Sequence, residues 1–286
     1  EGDSERYLAD IRTMLGMSEQ VLDERFIISH MVGIAIGDLT FLTVQKTAMT
    51  EGLLSNEELR DLAHMLGGFA DGRVRIDPST ELFMFDDMLQ RFFSDDGNGD
   101  GRYIGGPEFE RIYTDWGIAQ PQGKQFLKAF QPVRAVLVSS RKEIRERAEV
   151  FAAAGAVDEN LPPWRHDERN SDEAYRELMA TGIYSILPFL ESLSEDPDRG
   201  PIERTCAARD LMETRREASM TMLAVEVYRR MHGAWPKNLV ELVPKYMPRV
   251  PLDPFDGKPM RYRAPGSASD VPIIYSVGVD QQDDGG

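Results

Sequence analysis

Along most of the first two hundred positions, apolar residues recur every three or four places, the spacing of one helix face. In "SERYLADIRTML" (4–15) a serine suited to capping precedes Tyr7, Leu8, Ile11 and Leu15 on a single stripe. The same period runs through 18–49 at Ile27, Met31, Ile34, Asp38 and Leu42. Ser55 followed three residues later by Glu58 is a capping box, and Gly67-Gly68 close that helix. Residues 80–93, "TELFMFDDMLQRFF", predict another amphipathic helix. Beyond a glycine-rich stretch at 95–106, Pro107 suits a first helical turn for "PEFERIYTDW". Residues 124–140 predict a helix bent at Pro132, although their second half also reads as a strand. Ser140 and Glu143 form a second capping box, starting a helix that runs to Gly155. The proline-containing segment 158–172 reads as a surface loop. A helix pair bounded by Pro188 comes next, and "SEDPDRGP" (194–201) reads as a linker.

The pattern changes after residue 200. One long helix is predicted over 202–232, with Leu211, Ala218, Met222 and Val225 on one stripe and Met220, Leu223, Val227 and Met231 on another. Gly233 ends it. "NLVELVPKYM" predicts a short helix. "MRYRAP" and "VPIIYSVG" alternate apolar and polar positions around "GSASD", which is a hairpin pattern. The expected fold class is a mainly α N-terminal domain, residues 1–200, plus a small α+β C-terminal unit, residues 201–286: long helix, short helix and antiparallel β-hairpin.

Composition narrows the function classes. Apolar content of 41% and charged content of 29% belong to a globular chain. The 49 acidic residues outnumber 33 basic ones, for a net charge of −16. A field of that sign repels phosphate backbones and anionic lipid, so no nucleic-acid partner is expected. Cys206 is the lone cysteine, which excludes an internal disulfide and a cysteine-based zinc site. The most apolar run, 26–44, holds His30 and Asp38 near its centre and reads as a core helix, so no transmembrane segment is expected within the chain. The chain opens at Glu1 without methionine, so a processed or cut start is expected, with any signal peptide or membrane anchor upstream.

Residues 224–286 carry an ordered series: Tyr228, Gly233, Trp235, Pro236, then Asp253, Pro254, Phe255, Gly257, Pro259 and Tyr262, then Tyr275, Ser276, Gly278 and Asp280. This series resembles the globular part of the type II secretion major pseudopilins. The resemblance covers less than a quarter of the chain and implies a long helix, a short helix and a small antiparallel sheet. The equivalent pseudopilin helix is N-terminal and spans the membrane. Here it follows two hundred residues and carries Glu213, Arg215, Arg216, Glu217, Glu226, Arg229 and Arg230, which bars it from a bilayer. Asp256 is an insertion beside the family's glycine. In the resembling proteins the loop after the last strand binds calcium through aspartates and carbonyls. By position that implies Asp280 as a calcium ligand, with Asp283 and Asp284 matching the later acidic ligands more loosely.

A second acidic loop is legible from the residues themselves. From Asp96, "DGNGDG" places Asp96, Asn98 and Asp100 at the first, third and fifth positions of an EF-hand calcium loop, with the Arg102 carbonyl at the seventh. Pro107 stands where the bidentate glutamate belongs, and Glu108 follows one residue late. Calcium is the expected cofactor of this EF-hand-like loop at 95–108. The competing reading is a turn that simply favours Asn, Asp and Gly.

No catalytic motif emerges. The four histidines, at 30, 64, 166 and 232, lack metal-ligand spacing, and the arginine-rich "SSRKEIRERAEVF" and "RREASM" read as ion-paired helix faces. Trp164 reads either as a partner contact or as an anchor for its loop. The leading expectation is a non-catalytic periplasmic or cell-envelope protein, calcium-stabilised and secretion-related. The alternatives are a hydrolase with carboxylates assembled from separate helices, or a helical adaptor for a protein partner.

Overall fold

The computed structural model describes residues 2–24, 26–72, 74–76, 80–95, 97–98, 100–104, 138–158, 161, 164–165, 171–182, 201–266 and 270–285. The helices expected at 107–116, at 124–140 (up to 137) and around Pro188, the linker at 194–201 (up to 200), His166, and the calcium-loop residues Asp96 and Glu108 lie outside the described residues. Residues 138–140 are not helical, and Pro201 already begins a helix.

Among the described residues the fold is mostly helical with a two-stranded antiparallel sheet. The helices are α1 (Gly2–Leu22), α2 (Ile27–Thr47), α3 (Asn56–Gly68), α4 (Glu81–Phe92), α5 (Arg141–Asp158), α6 (Ser171–Ala180) and α7 (Pro201–His232). The strands β1 (Arg261–Arg263) and β2 (Ile273–Tyr275) pair in the register Arg261–Tyr275, Tyr262–Ile274 and Arg263–Ile273. The expected hairpin is therefore present.

The chain divides into two compact units: Glu1–Ile76 with Leu161–Asp167 and Thr205–Gly286, and Asp77–Asn160 with Glu168–Arg204. The division does not fall at residue 200, because α7 is bonded along its length to the N-terminal helices. Arg215 pairs with Asp38 of α2, and the Gln45 amide donates to the Arg215 carbonyl at 3.3 Å. Glu213 Oε1 accepts the Val74 N–H at 3.0 Å, and Arg230 donates to the Leu54 carbonyl at 2.6 Å. These half-buried polar groups find their partners on residues 38–74.

The first helical break also falls later than the period suggested. α1 continues through Gly16, where a β-carbon would meet nothing within 4 Å, and ends at Leu22. Buried Ser18 explains the continuation: its hydroxyl donates to the Gly33 carbonyl at 2.6 Å, fastening the last turns of α1 to α2. One face of α2 holds Gly33, Ile34, Gly37, Phe41 and Val44 in the core. A β-carbon on Gly37 would stand 2.8 Å from Met212 Sδ and 3.3 Å from the Phe69 ring, so glycine sets how closely α2 and α7 approach. Phe69 in turn meets Phe41 edge-on at 5.5 Å. Although α2 is long and apolar enough to cross a membrane, Asp38 at its middle is paired with Arg215.

The capping box at Ser55 forms as read, with Glu58 N–H donating to Ser55 Oγ and Ser55 N–H to Glu58. The short helix after Gly233 is a single 3-10 turn, Leu239–Leu242, capped by the Asn238 side chain. Its Leu239 and Leu242 pack with Ala224, Val225, Met247 and Met260 as the core under the hairpin. The Trp164 ring lies 3.2 Å from where a β-carbon on Gly257 would stand, and the residue stays 41% exposed.

In the second unit, Phe85, Leu89 and Phe92 of α4 pack with Phe93, Tyr103, Ile144, Ala148 and Leu178. Outside that core, Arg145 pairs with Asp86, and Arg147 with Glu177 at 2.6 Å.

Gly37→Leu overfills the α2–α7 contact and should lower stability by about 1–3 kcal/mol. Gly16→Ala on open α1 surface should instead raise it by about 0.5–1 kcal/mol. Urea unfolding midpoints check both signs, and an unchanged midpoint for Gly37→Leu contradicts the packing described.

Candidate functional site

The densest polar constellation lies where the segment before β1 meets the end of β2. Asp253 is completely buried, and both its carboxylate oxygens are used. Oδ1 accepts the Phe255 N–H at 3.0 Å and the Ser276 hydroxyl at 2.8 Å. Oδ2 accepts the Val277 N–H at 2.9 Å and Arg261 Nη1 at 3.0 Å. The backbone of Asp253 closes the turn, donating to the Lys258 carbonyl at 2.7 Å and accepting the Gly257 N–H at 2.9 Å. One carboxylate therefore ties the "DPFDG" turn to the strand ending in Tyr275-Ser276.

Arg261 is the cation of this node. Besides Asp253 it bonds both oxygens of Asp256, and its Nε lies 3.8 Å from Asp283. Those bonds from Arg261 hold the Asp256 carboxyl well below its ordinary 3.8, at about 2. On the opposite face of β1, Tyr262 donates its hydroxyl to the Pro236 carbonyl at 2.8 Å, and burial pushes its phenol up to about 12. Tyr228 stacks on His232 with ring centroids 4.3 Å apart, and the Arg229 guanidinium lies 5.0 Å from the Trp235 ring centre.

The sequence-predicted residues of the C-terminal loop are close together, yet the groups they face are not those of a calcium site. Asp280 is exposed, and its carboxylate accepts the N–H of Gln282 at 3.2 Å. Asp283 accepts the Tyr275 hydroxyl and the Gly285 N–H, each at 3.1 Å, beside Arg261. Asp284 is exposed, while Arg263 donates to the Gly285 carbonyl at 2.6 Å. The loop folds back over the outward face of the hairpin, held by Arg261, Arg263 and Tyr275. A divalent cation at Asp283 would stand against the permanent charge of Arg261.

The first acidic loop closes as a small hairpin. Phe93 bridges Tyr103, Ser94 N–H donates to the Arg102 carbonyl at 2.9 Å, and Arg102 N–H donates to Ser94 Oγ at 3.0 Å. A β-carbon on Gly101 would stand 1.7 Å from the Ser94 carbonyl oxygen, so this crossing demands glycine with or without a metal. Asn98 and Asp100 are exposed within the loop. Among the described residues no three His, Cys, Asp or Glu side chains are grouped to hold a metal.

Arg261 is the residue that sequence reading passed over. Its position in "MRYR" suggested only an alternating strand, whereas three aspartates converge on it, two from the "DPFDG" turn and one from the C-terminal loop. The one available signal was Asp256, the insertion beside Gly257, which adds a carboxylate facing that guanidinium. Comparisons with family models, with curated proteins and with solved structures each returned no match.

Removing Arg261 leaves the buried Asp253 charge uncompensated, so Arg261→Met should cost about 3–5 kcal/mol. The fold favours ionised Asp256, so its contribution is complete above about pH 4 and is lost as pH falls through about 2. Asp256→Asn should flatten stability across that window in acid titrations followed by circular dichroism. A mutant titrating identically to the parent would contradict the assignment.

Proposed function

We propose that this chain is a non-catalytic protein of the cell envelope, with a pseudopilin-like α+β module and calcium bound at the loop around Asp100. The observation that carries the reading is the ligation of Asp253. In "DPFDG" and "YSVG" Asp253 and Ser276 are bonded to each other, and Asp253 also to backbone N–H groups and to Arg261. Their chemistry is engaged in holding the turn to the strand. Calcium at the first loop is supported by the Asn98, Asp100 and Arg102 positions, and extracytoplasmic calcium is abundant enough for weak sites. The link to secretion rests on the resemblance of residues 224–286.

A second reading, an adaptor for a protein partner, has a specific observation in its favour. Ile28, Met31, Val32 and Leu39 lie exposed along one side of α2, opposite the face that packs in the core. Contiguous apolar surface of that kind commonly marks an interaction site.

Thermal melts with calcium and with chelator test the metal. Calcium should raise the melting temperature by several degrees, as mass action requires for a ligand of the native state. Asp100→Ala should abolish the shift and Asp283→Asn should preserve it; no shift in the parent removes calcium from the reading. Fractionation of cells expressing the full gene product tests the compartment, and recovery in the cytoplasm overturns the envelope assignment.

A further inference from the structure

Between α3, the middle of α7 and the segment 245–251 lies a cavity of about 280 Å³. Its wall is aliphatic, formed by Leu59, Ala63, Met220, Leu223, Val227 and Met247 among others, and several of these belong to the buried core. Its polar lining is strongly one-signed. Arg60, Arg216, Lys245 and Arg249 carry permanent positive charge, and Glu217 is the one carboxylate among the lining residues. Glu217 is already shared, 3.6 Å from Arg216 and 3.7 Å from Arg249, so it balances only part of that charge. The remaining cations sit at the mouth: Arg60 and Lys245 are exposed, the first touching Met231 Sδ at 3.2 Å and the second lying over the Tyr246 ring at 5.1 Å. In a chain of net charge −16 this local excess runs against the overall field.

We propose that this cavity binds an amphipathic monocarboxylate, a medium-chain fatty acid in chemical class, with its tail inside and its carboxylate at the basic mouth. At about 280 Å³ the cavity is far larger than one water requires and has room for an aliphatic tail. An aliphatic wall gives such a chain its affinity through burial, and the orientation comes from a few placed polar groups. The recognition of charge is also settled by the rim. A carboxylate meets Arg60, Lys245 and Arg249 as hydrogen-bond donors, whereas a cationic head group would meet their repulsion and a neutral alcohol would gain no ion pair.

Decanoate is the probe, titrated calorimetrically into the intact chain, with decanol and decyltrimethylammonium in parallel. Saturable binding of decanoate is expected in the micromolar range, with both controls at least about tenfold weaker. Lys245→Gln combined with Arg249→Gln changes only exposed rim side chains and should weaken decanoate by about tenfold while leaving decanol unchanged. Ala63→Trp, which fills the cavity, should abolish binding of both, with circular dichroism melts confirming that each variant is folded. Absence of saturable decanoate binding up to about 1 mM, equal affinity for decanol, or a rim variant that binds decanoate as the parent does would each overturn the proposal. Should Ala63→Trp fail to fold, the rim variant and the head-group comparison decide the matter alone.

Discussion

Helix α7 brings charged residues into the core, and each has to be met by a partner within reach. Arg209 and Asp210 are both buried and pair with each other, Nη2 to Oδ1 at 2.7 Å. Arg216 reaches the Phe69 carbonyl at 3.4 Å, while Arg215 takes Asp38. Burial pushes the Glu226 carboxyl upward, but the bonds from Arg229 and Arg230 outweigh it and leave the group below its ordinary range. An unmet charge at such depth costs several kcal/mol. The buried Arg209–Asp210 pair is met within α7. Arg215, Arg216 and Arg230 are met by Asp38 and the Phe69 and Leu54 carbonyls, which joins residues 1–76 to α7 alongside the apolar packing.

The same demand shapes the C-terminal module on a smaller scale. Asp253 is fully buried, and four donors converge on its carboxylate. Arg261 then carries surplus positive charge outward to Asp256 and Asp283, which is how the final turn becomes attached to the hairpin. Arg263 and the Tyr275 hydroxyl complete that attachment at the Gly285 carbonyl and at Asp283.

Periodicity made the local structure legible. The capping box at Ser55, the serine cap at Ser140, the stop at Gly233 and the alternation of "IIYSVG" each depend on residues close in sequence, and each is a short-range energetic preference. What stayed hidden depends on distance along the chain. The pairing of Asp38 with Arg215 spans 177 positions, and nothing in "GDLTF" or "TRREA" announces it. Read locally, the arginines of α7 belong with glutamates three or four residues away. That holds for Glu226 with Arg229 and Arg230 and fails for Arg215. Gly16 misled in the opposite sense, since a weak helix former was overruled by the bond from Ser18 to α2.

The two glycine-rich acidic loops show why composition alone is an ambiguous witness for metal. Gly101 occupies the position that an EF-hand reserves for a sharp turn, yet here the Ser94 carbonyl already forbids any side chain there. Asp283 matches a calcium ligand by its place after the strand, yet a tyrosine hydroxyl and a guanidinium face it. A glycine beside aspartates therefore reports only that backbone and carboxylate oxygens crowd together, whatever positive group resolves the crowding. In the C-terminal loop that positive group is the Arg261 guanidinium.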